Sequence, residues 1–291
     1  HSSRGTFEKT ERWYVKRPAI RYTGKIDMRP MASDGLNGRE SERAASGAAA
    51  DGPPQAIFAL HVEPELPAGK IACRTGPILA AVDTVFARLI GKGGHGSMPH
   101  SALDPTPVAC EVVQAIQTMV TRRFDVFDPV VATVGRIQSG TTSNVIPEFA
   151  EMEITLRSLS VEARARLAEA VEKLVREIPA AHGLEVNFDI EKGYPPTVNH
   201  QSGAQAVAQA AKAVLGEDQY MEMATPWMGA EDFSYLLERF PGAFVFLGAA
   251  PIDGEPQPCH SSRMRLNEAA FPAGVAMYAA LALQELADKP H

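Results

Sequence analysis

From Ala56 the chain runs Ala-Ile-Phe-Ala-Leu-His-Val62, an unbroken apolar stretch bounded by Pro53-Pro54 and Pro64. Such a run predicts a buried strand of a parallel sheet. His61 stands at its carboxyl end, the end at which open α/β sheets bind ligands. A lone histidine in such a run is more often a core residue bonded to a backbone carbonyl, so the position needs other support.

Between 82 and 192 the apolar spacing switches in a countable order. Residues 82–90 alternate as a strand, and a glycine-rich loop follows. Asp104 is placed to cap a helix with Pro105 at its first position, and Val108, Val112, Val113, Ile116, Met119 and Val120 line one face. Residues 130–138 read as a strand. After the turn 139–144, Ala150, Met152, Ile154 and Leu156 alternate with Glu151, Glu153, Thr155 and Arg157. Ser160 can cap a second helix with Leu167, Val171, Leu174 and Ile178 inward, and Leu184 to Ile190 alternates again. The order is β-α-β-β-α-β, the ferredoxin-like or split βαβ plan, which leaves one sheet face or edge free for a partner.

After residue 192 the pattern returns to α/β character. A small-residue helix is expected over 205–215, another opening within 228–235, a short buried strand over 244–247, and a closing apolar helix over about 267–287. The fold class is therefore α/β: a mixed-sheet domain (56–81 and 193–291) interrupted by the β-α-β-β-α-β insert (82–192). Residues 1–55 have poor apolar periodicity and no assigned role. A chain that begins with His1 reads as a piece of something longer or a processed product.

Charge sharpens the contrast between these regions. Residues 1–50 carry ten Lys/Arg against six Asp/Glu, whereas the whole chain has 28 against 35, a net −7. Nothing resembles the basic footprint of a nucleic-acid or anionic-membrane binder. No apolar run is expected to reach membrane-spanning length, and the first residues lack the core of a signal peptide, so a cytoplasmic home is the expectation. Cys73, Cys110 and Cys259 are odd in number and widely spaced, which fits a reducing compartment and no disulfide framework.

The loop Gly91-Lys-Gly-Gly-His-Gly-Ser-Met-Pro-His100 carries the most chemistry. Its glycines permit close backbone approach and Pro99 stiffens its exit, so it can present His95 and His100 to a ligand, or be a solvent-exposed turn. A phosphate cradle fits poorly, since Gly-x4-Gly-Lys-Ser/Thr is absent.

Five motifs occur in a fixed order: the glycine loop, Ser143-Asn-Val-Ile-Pro147, Thr155-Leu-Arg-Ser158, Gly229-Ala-Glu-Asp-Phe-Ser234 and Cys259-His-Ser261. Together they resemble the two-metal amidohydrolase and metallopeptidase family, which includes hippurate hydrolases, N-acyl-amino-acid amidohydrolases, aminoacylases and carboxypeptidases. The resemblance runs from about Ala56 to the C-terminus.

That resemblance implies a catalytic α/β domain interrupted by a lid that also dimerises, so a homodimer is expected. It implies His61 and His260 as ligands of a divalent metal (zinc, manganese, cobalt or nickel), and His95 as the histidine that stabilises the oxyanion across the dimer. Asn144 and Arg157 would hold the carboxylate of an N-acyl amino acid or peptide, and Glu231 with Asp232 would line the site wall. For Glu231 and Asp232 a capping or ion-pairing role at a helix start is the competing reading. The sequence departs from the family where His-x-Cys-Gly-His-Asp-x-His and Pro-Ala-Glu-Glu segments, which supply the other ligands and the general base, precede the strand ending in His61. Residues 1–55 contain neither; Glu40 and Glu42 do not match the paired glutamates. The expectation is a metal-dependent amide hydrolase, truncated or impaired, with a catalytically inactive dimerising or carboxylate-binding relative as the alternative.

Overall fold

The computed structural model describes residues 53–287. The expectations for residues 1–52, including Glu40 and Glu42, lie outside the described residues.

The first strand, β1 (Ile57–Glu63), is parallel to β12 (Gly242–Gly248), with His61 opposite Phe246. β12 is antiparallel to β2 (Ile71–Cys73), which is in turn parallel to β11 (Tyr220–Glu222). The order β1-β12-β2-β11 makes a mixed sheet. Every residue of β12 is buried, as its apolar run Ala243 to Leu247 requires, whereas β1 is only half-buried because it is the edge of this sheet among the described residues. Full burial of β1 was the sequence expectation, and this corrects it.

Helices α3 (Gln201–Leu215) and α5 (Phe271–Ala287) pack on one face of the mixed sheet over Ala204, Val207, Ala211, Val245, Leu247, Met277 and Leu281. The other face carries Phe244, Phe246, Leu79, Leu237 and Met223. Helix α3 lies unusually close to the sheet. A Cβ on Gly203 would stand 2.3 Å from the Gly242 carbonyl carbon, and one on Gly242 would stand 1.9 Å from the Ile57 oxygen, so neither position admits a side chain. Helix α3 begins four residues earlier than expected, at Gln201.

The C-terminal helix also corrects an expectation. Together with the short 3-10 turn Glu268–Ala270, it forms a 20-residue helical stretch of mean hydropathy 1.3, long and apolar enough by length and composition to cross a bilayer. Here its inner face packs on α3 and the sheet, with Gly274 against Leu247 and Leu60. Val275 and Leu283 on its outer face are about 70% and 68% exposed.

Strand β4 (Ala81–Ile90) belongs to a second, antiparallel sheet of order β6-β8-β4-β9. Its other strands are β6 (Val130–Ser139), β8 (Phe149–Ser158) and β9 (Glu185–Lys192). Helices α1 (Pro105–Arg123) and α2 (Val161–Ala181) cover one face through the apolar stripes read from the sequence, including Val112, Ile116, Ile154, Leu167 and Val171. Both expected caps form: Asp104 Oδ1 accepts from the Thr106 amide at 2.9 Å and Ser160 Oγ from the Ala163 amide at 3.0 Å. The opposite face is polar, with Arg136 bonded to Glu153 at 2.6 Å and Arg88 stacked 3.8 Å from the Phe149 ring centre.

Two small ribbons complete the fold. β3 (Gly76–Leu79) pairs with β10 (Thr197–Asn199), and β5 (Gly94–His95) with β7 (Val145–Ile146). In place of the helix expected within 228–235 there is an extended turn and a single helical turn, α4 (Ser234–Leu237).

Candidate active site

His61 projects from β1 onto the aromatic face of the mixed sheet, 6.1 Å from the Phe246 ring centre and 6.3 Å from that of Phe244. Its Nδ1 lies 2.6 Å from the Val62 carbonyl, which can only accept, so the proton sits on Nδ1 and the lone pair on Nε2. The second site histidine arrives on a loop. His260 has φ +72°, a left-handed backbone rare outside glycine, and such strain collects at functional positions. Its neighbour Cys259 anchors the loop to the end of β1, with Sγ 4.0 Å from Val62 O and 3.8 Å from Glu63 Oε2. The fold thus brings the His61 and His260 segments to the same end of β1.

Glu63 was not read from the sequence as a site residue. It is buried at 8% exposure and, two residues after His61, shares its strand face. Its Oε1 accepts from the Glu65 amide at 3.0 Å while Oε2 meets the Cys259 thiol. Burial, and then the Glu63 carboxylate, raise the Cys259 thiol above its ordinary value. The i to i+2 spacing was the signal that could have found Glu63.

The wall of this region is the segment 227–235. Trp227 stacks on Phe246 at 4.6 Å between ring centres. Glu231 occupies the turn that follows, its main-chain carbonyl accepting from Ser234 Oγ at 2.6 Å. Arg157, at the end of β8, donates from Nη1 to the Met228 carbonyl at 2.6 Å. The antiparallel sheet therefore touches the wall through one of the two residues expected to hold a carboxylate.

His95 and Asn144 are brought together elsewhere. The Gly96 amide donates to Asn144 O at 2.8 Å, His95 pairs with Val145, and Ser97 Oγ sits 2.8 Å from His95 Nδ1. A Cβ on Gly96 would come within 3.1 Å of the Asn144 carbonyl, so the glycine permits the approach. His95 is exposed. Strand β8 carries the chain roughly 27 Å from Phe149 to Arg157, so His95 and Asn144 stand at the opposite end of the antiparallel sheet from the wall. A cavity of about 250 Å³ near Leu103, Glu111 and His182 contains none of these site residues.

Among the described residues, no group of three or more His, Cys, Asp or Glu side chains is gathered to hold a metal ion. Of the residues read as metal ligands, His61 and His260 supply two imidazoles, fewer donors than even one tetrahedral site takes, and by themselves they do not fit a dinuclear centre.

Residues 27–284 match the peptidase family M20/M25/M40. The chain belongs to that family. Within it, the chain is 33% identical over 239 residues to the IAA-amino acid hydrolase ILR1-like 2 of Arabidopsis thaliana, covering 81% of this chain and 54% of the relative. It is 35% identical over 224 residues to the N-acetyldiaminopimelate deacetylase of Priestia megaterium, covering 77% and 58%. Among solved structures, the Bacillus subtilis YXEP protein, described as a dinuclear metal binding peptidase from M20 family, superposes with TM-score 0.67 at 29% identity, covering 86% of this chain and 62% of that one. This M20 chain thus spans little more than half the length of the curated relatives it matches.

Proposed function

We propose that this chain serves the hydrolysis of the amide bond in N-acyl amino acids or small peptide-like substrates. The observation that supports it best is Arg157, whose guanidinium reaches the Met228 carbonyl on the wall of the region where His61 and the Cys259–His260 loop converge. A planar guanidinium suits a two-pronged grip on a carboxylate. The names of the relatives agree with this reading: IAA-amino acid hydrolase, N-acetyldiaminopimelate deacetylase and N-acetylcysteine deacetylase each pair an amino acid with an acyl group.

In this reading the β-α-β-β-α-β insert, residues 82–192, is a ferredoxin-like lid over the mixed-sheet domain, 56–81 and 193–291. Arg157 holds the substrate carboxylate from its own lid. His95 and Asn144, at the far end of the same sheet, serve the site of a second copy, His95 donating to the developing oxyanion and Asn144 to the carboxylate. Glu231 lines the wall. His61, its tautomer set by Val62 O, and His260 are the donors this chain would offer a divalent ion.

Mixing two inactive variants tests the arrangement. His95→Ala and Arg157→Ala homodimers should each lose hydrolysis of hippurate or an N-acetyl amino acid in the presence of manganese or zinc. After subunit exchange, statistical hybrids should regain about a quarter of the wild-type rate, because half the dimers then carry one intact site. No recovery, or full activity in His95→Ala, would sink the shared site. Tight binding of the acyl amino acid without turnover in the wild type would favour a carboxylate-binding protein instead.

A further inference from the structure

Two lengths of chain join the mixed sheet to the antiparallel one, residues 79–83 and 192–196, and they are clasped to each other. The Val82 amide donates to Tyr194 O at 3.0 Å, and the Gly193 amide donates to Val82 O at 3.0 Å and to Asp83 Oδ1 at 3.1 Å. A Cβ on Gly193 would stand 2.5 Å from Val82 O, so this approach requires glycine. Asp83 is 3% exposed and takes a bidentate grip from Arg164, Nε to Oδ2 at 2.9 Å and Nη2 to Oδ1 at 2.6 Å. Arg164 Nη2 also donates to Gly193 O at 3.0 Å.

A second donor reaches that same carbonyl from the other side: the Tyr235 hydroxyl, at 3.1 Å. The Tyr235 ring stands edge-on to that of Tyr194, 6.0 Å between centres. Tyr235 ends the wall segment. At its other end the wall is bonded to β3, Trp227 amide to Ile78 O at 3.0 Å, to the first linker, Ala80 amide to Gly229 O at 2.8 Å, and to the antiparallel sheet through Arg157. The turn holding Glu231 and Asp232 is therefore strung between both linkers.

We propose that Tyr235 is a positioning residue which, through the Gly193 carbonyl, ties the wall turn to the Asp83–Arg164 clasp, so that the angle between the two sheets and the geometry of the wall change together. A buried, fully bonded ion pair across the linkers gives the junction one defined setting, and loosening either partner leaves the other charge uncompensated. Rotation of one sheet against the other would have to break Tyr235 to Gly193 and Arg157 to Met228, two of the bonds that fix the wall. The inference concerns the junction alone and holds whether or not the chain hydrolyses an amide.

Hydrogen exchange of the full chain, read by segment, tests it. Tyr235→Phe keeps the ring and removes one bond; exchange of the Ser234 and Tyr235 amides and of residues 193–194 should rise about tenfold, the worth of one net hydrogen bond. Asp83→Asn is the decisive variant, because Asp83 has no hydrogen bond or ion pair to the wall. It should accelerate the wall turn by about tenfold as well, while β8 and β12 stay within about twofold. Should Asp83→Asn fail to fold, Arg164→Lys, which keeps the charge but loses the fork, gives the same reading. A wall turn still as protected as wild type in the clasp variant overturns the coupling. So does acceleration spread equally over β8 and β12, which marks a general loss of stability.

Discussion

Replacing Asn199 by leucine should cost as much as a large core cavity, because it removes buried hydrogen bonds and no volume. Asn199 is 2% exposed at the junction of β10, β2 and β12. Its Nδ2 donates to Phe244 O at 2.9 Å and Arg74 O at 3.0 Å and approaches Cys73 Sγ at 3.4 Å, while Oδ1 accepts from the Phe244 amide at 2.7 Å. The amide and carbonyl of Phe244 lie inside the sheet with no water to replace the side chain. Each buried backbone group left without a partner costs ~1–3 kcal/mol. The Arg74 carbonyl is nearer the surface and recovers part of its loss to water. The sum is a destabilisation of about 3–5 kcal/mol, against total stabilities of ~5–15 kcal/mol for folded proteins. Urea unfolding followed by tryptophan fluorescence should place the midpoint of Asn199→Leu roughly 1–2 M below wild type with an unchanged slope. A shift below about 0.3 M would refute the reasoning, since it would mean that Phe244 finds other partners at no cost.

Three further outcomes are expected. Gly242→Ala places its Cβ 1.9 Å from Ile57 O and should force β1 off β12, lowering the melting temperature by about 5 °C or more, as differential scanning fluorimetry would report. Of the three thiols, Cys110 is exposed and should react with a disulfide reagent within seconds at pH 8, Cys259 more slowly, and Cys73 only after unfolding, its thiol pushed up to about 12 by burial. The same shift has a sign in stability: the folded value lies above the ordinary thiol value of 9.0, so the contribution is whole below pH 9 and is lost as pH rises toward 12. The melting free energy should fall by about 1.4 kcal/mol per pH unit from this group alone, and Cys73→Ala should flatten that slope between pH 9 and 10.

Helices with a cap and a clean stripe were legible almost to the residue. Asp104-Pro105 and Ser160 start their helices as the spacing predicts, because capping chemistry is local and needs nothing from the rest of the chain. The alternating strands 82–90, 130–138 and 150–156 were equally clear, since one of their faces is buried and the other wet. What failed was nonlocal. The wall 228–235 reads as a helix in Met-Gly-Ala-Glu-Asp-Phe-Ser-Tyr, yet Met228, Gly229 and Trp227 bond to Arg157, Ala80 and Ile78, and those bonds hold it extended. The three-residue strands β2, β10 and β11 carry too few residues for any period to register. The histidines singled out as candidates stand out by glycine and proline framing, while Glu63 and the junction pair Asp83 and Arg164 look in the sequence like ordinary alternating charges. Their burial is set by partners 196, 81 and 110 positions away, which no local pattern records.

The contact of Gly203 with Gly242, and of Gly242 with Ile57, bears on how kinship in this protein should be judged. Three main chains are stacked there with no side chain between them, so two of the three residue choices are dictated by steric exclusion alone. Any chain that keeps this layout must keep those glycines, whatever reaction it runs or has given up. Matching glycines at such a seam report a shared architecture and nothing about turnover. Evidence for shared chemistry has to come from positions the scaffold leaves free to vary, such as His95 on its exposed ribbon.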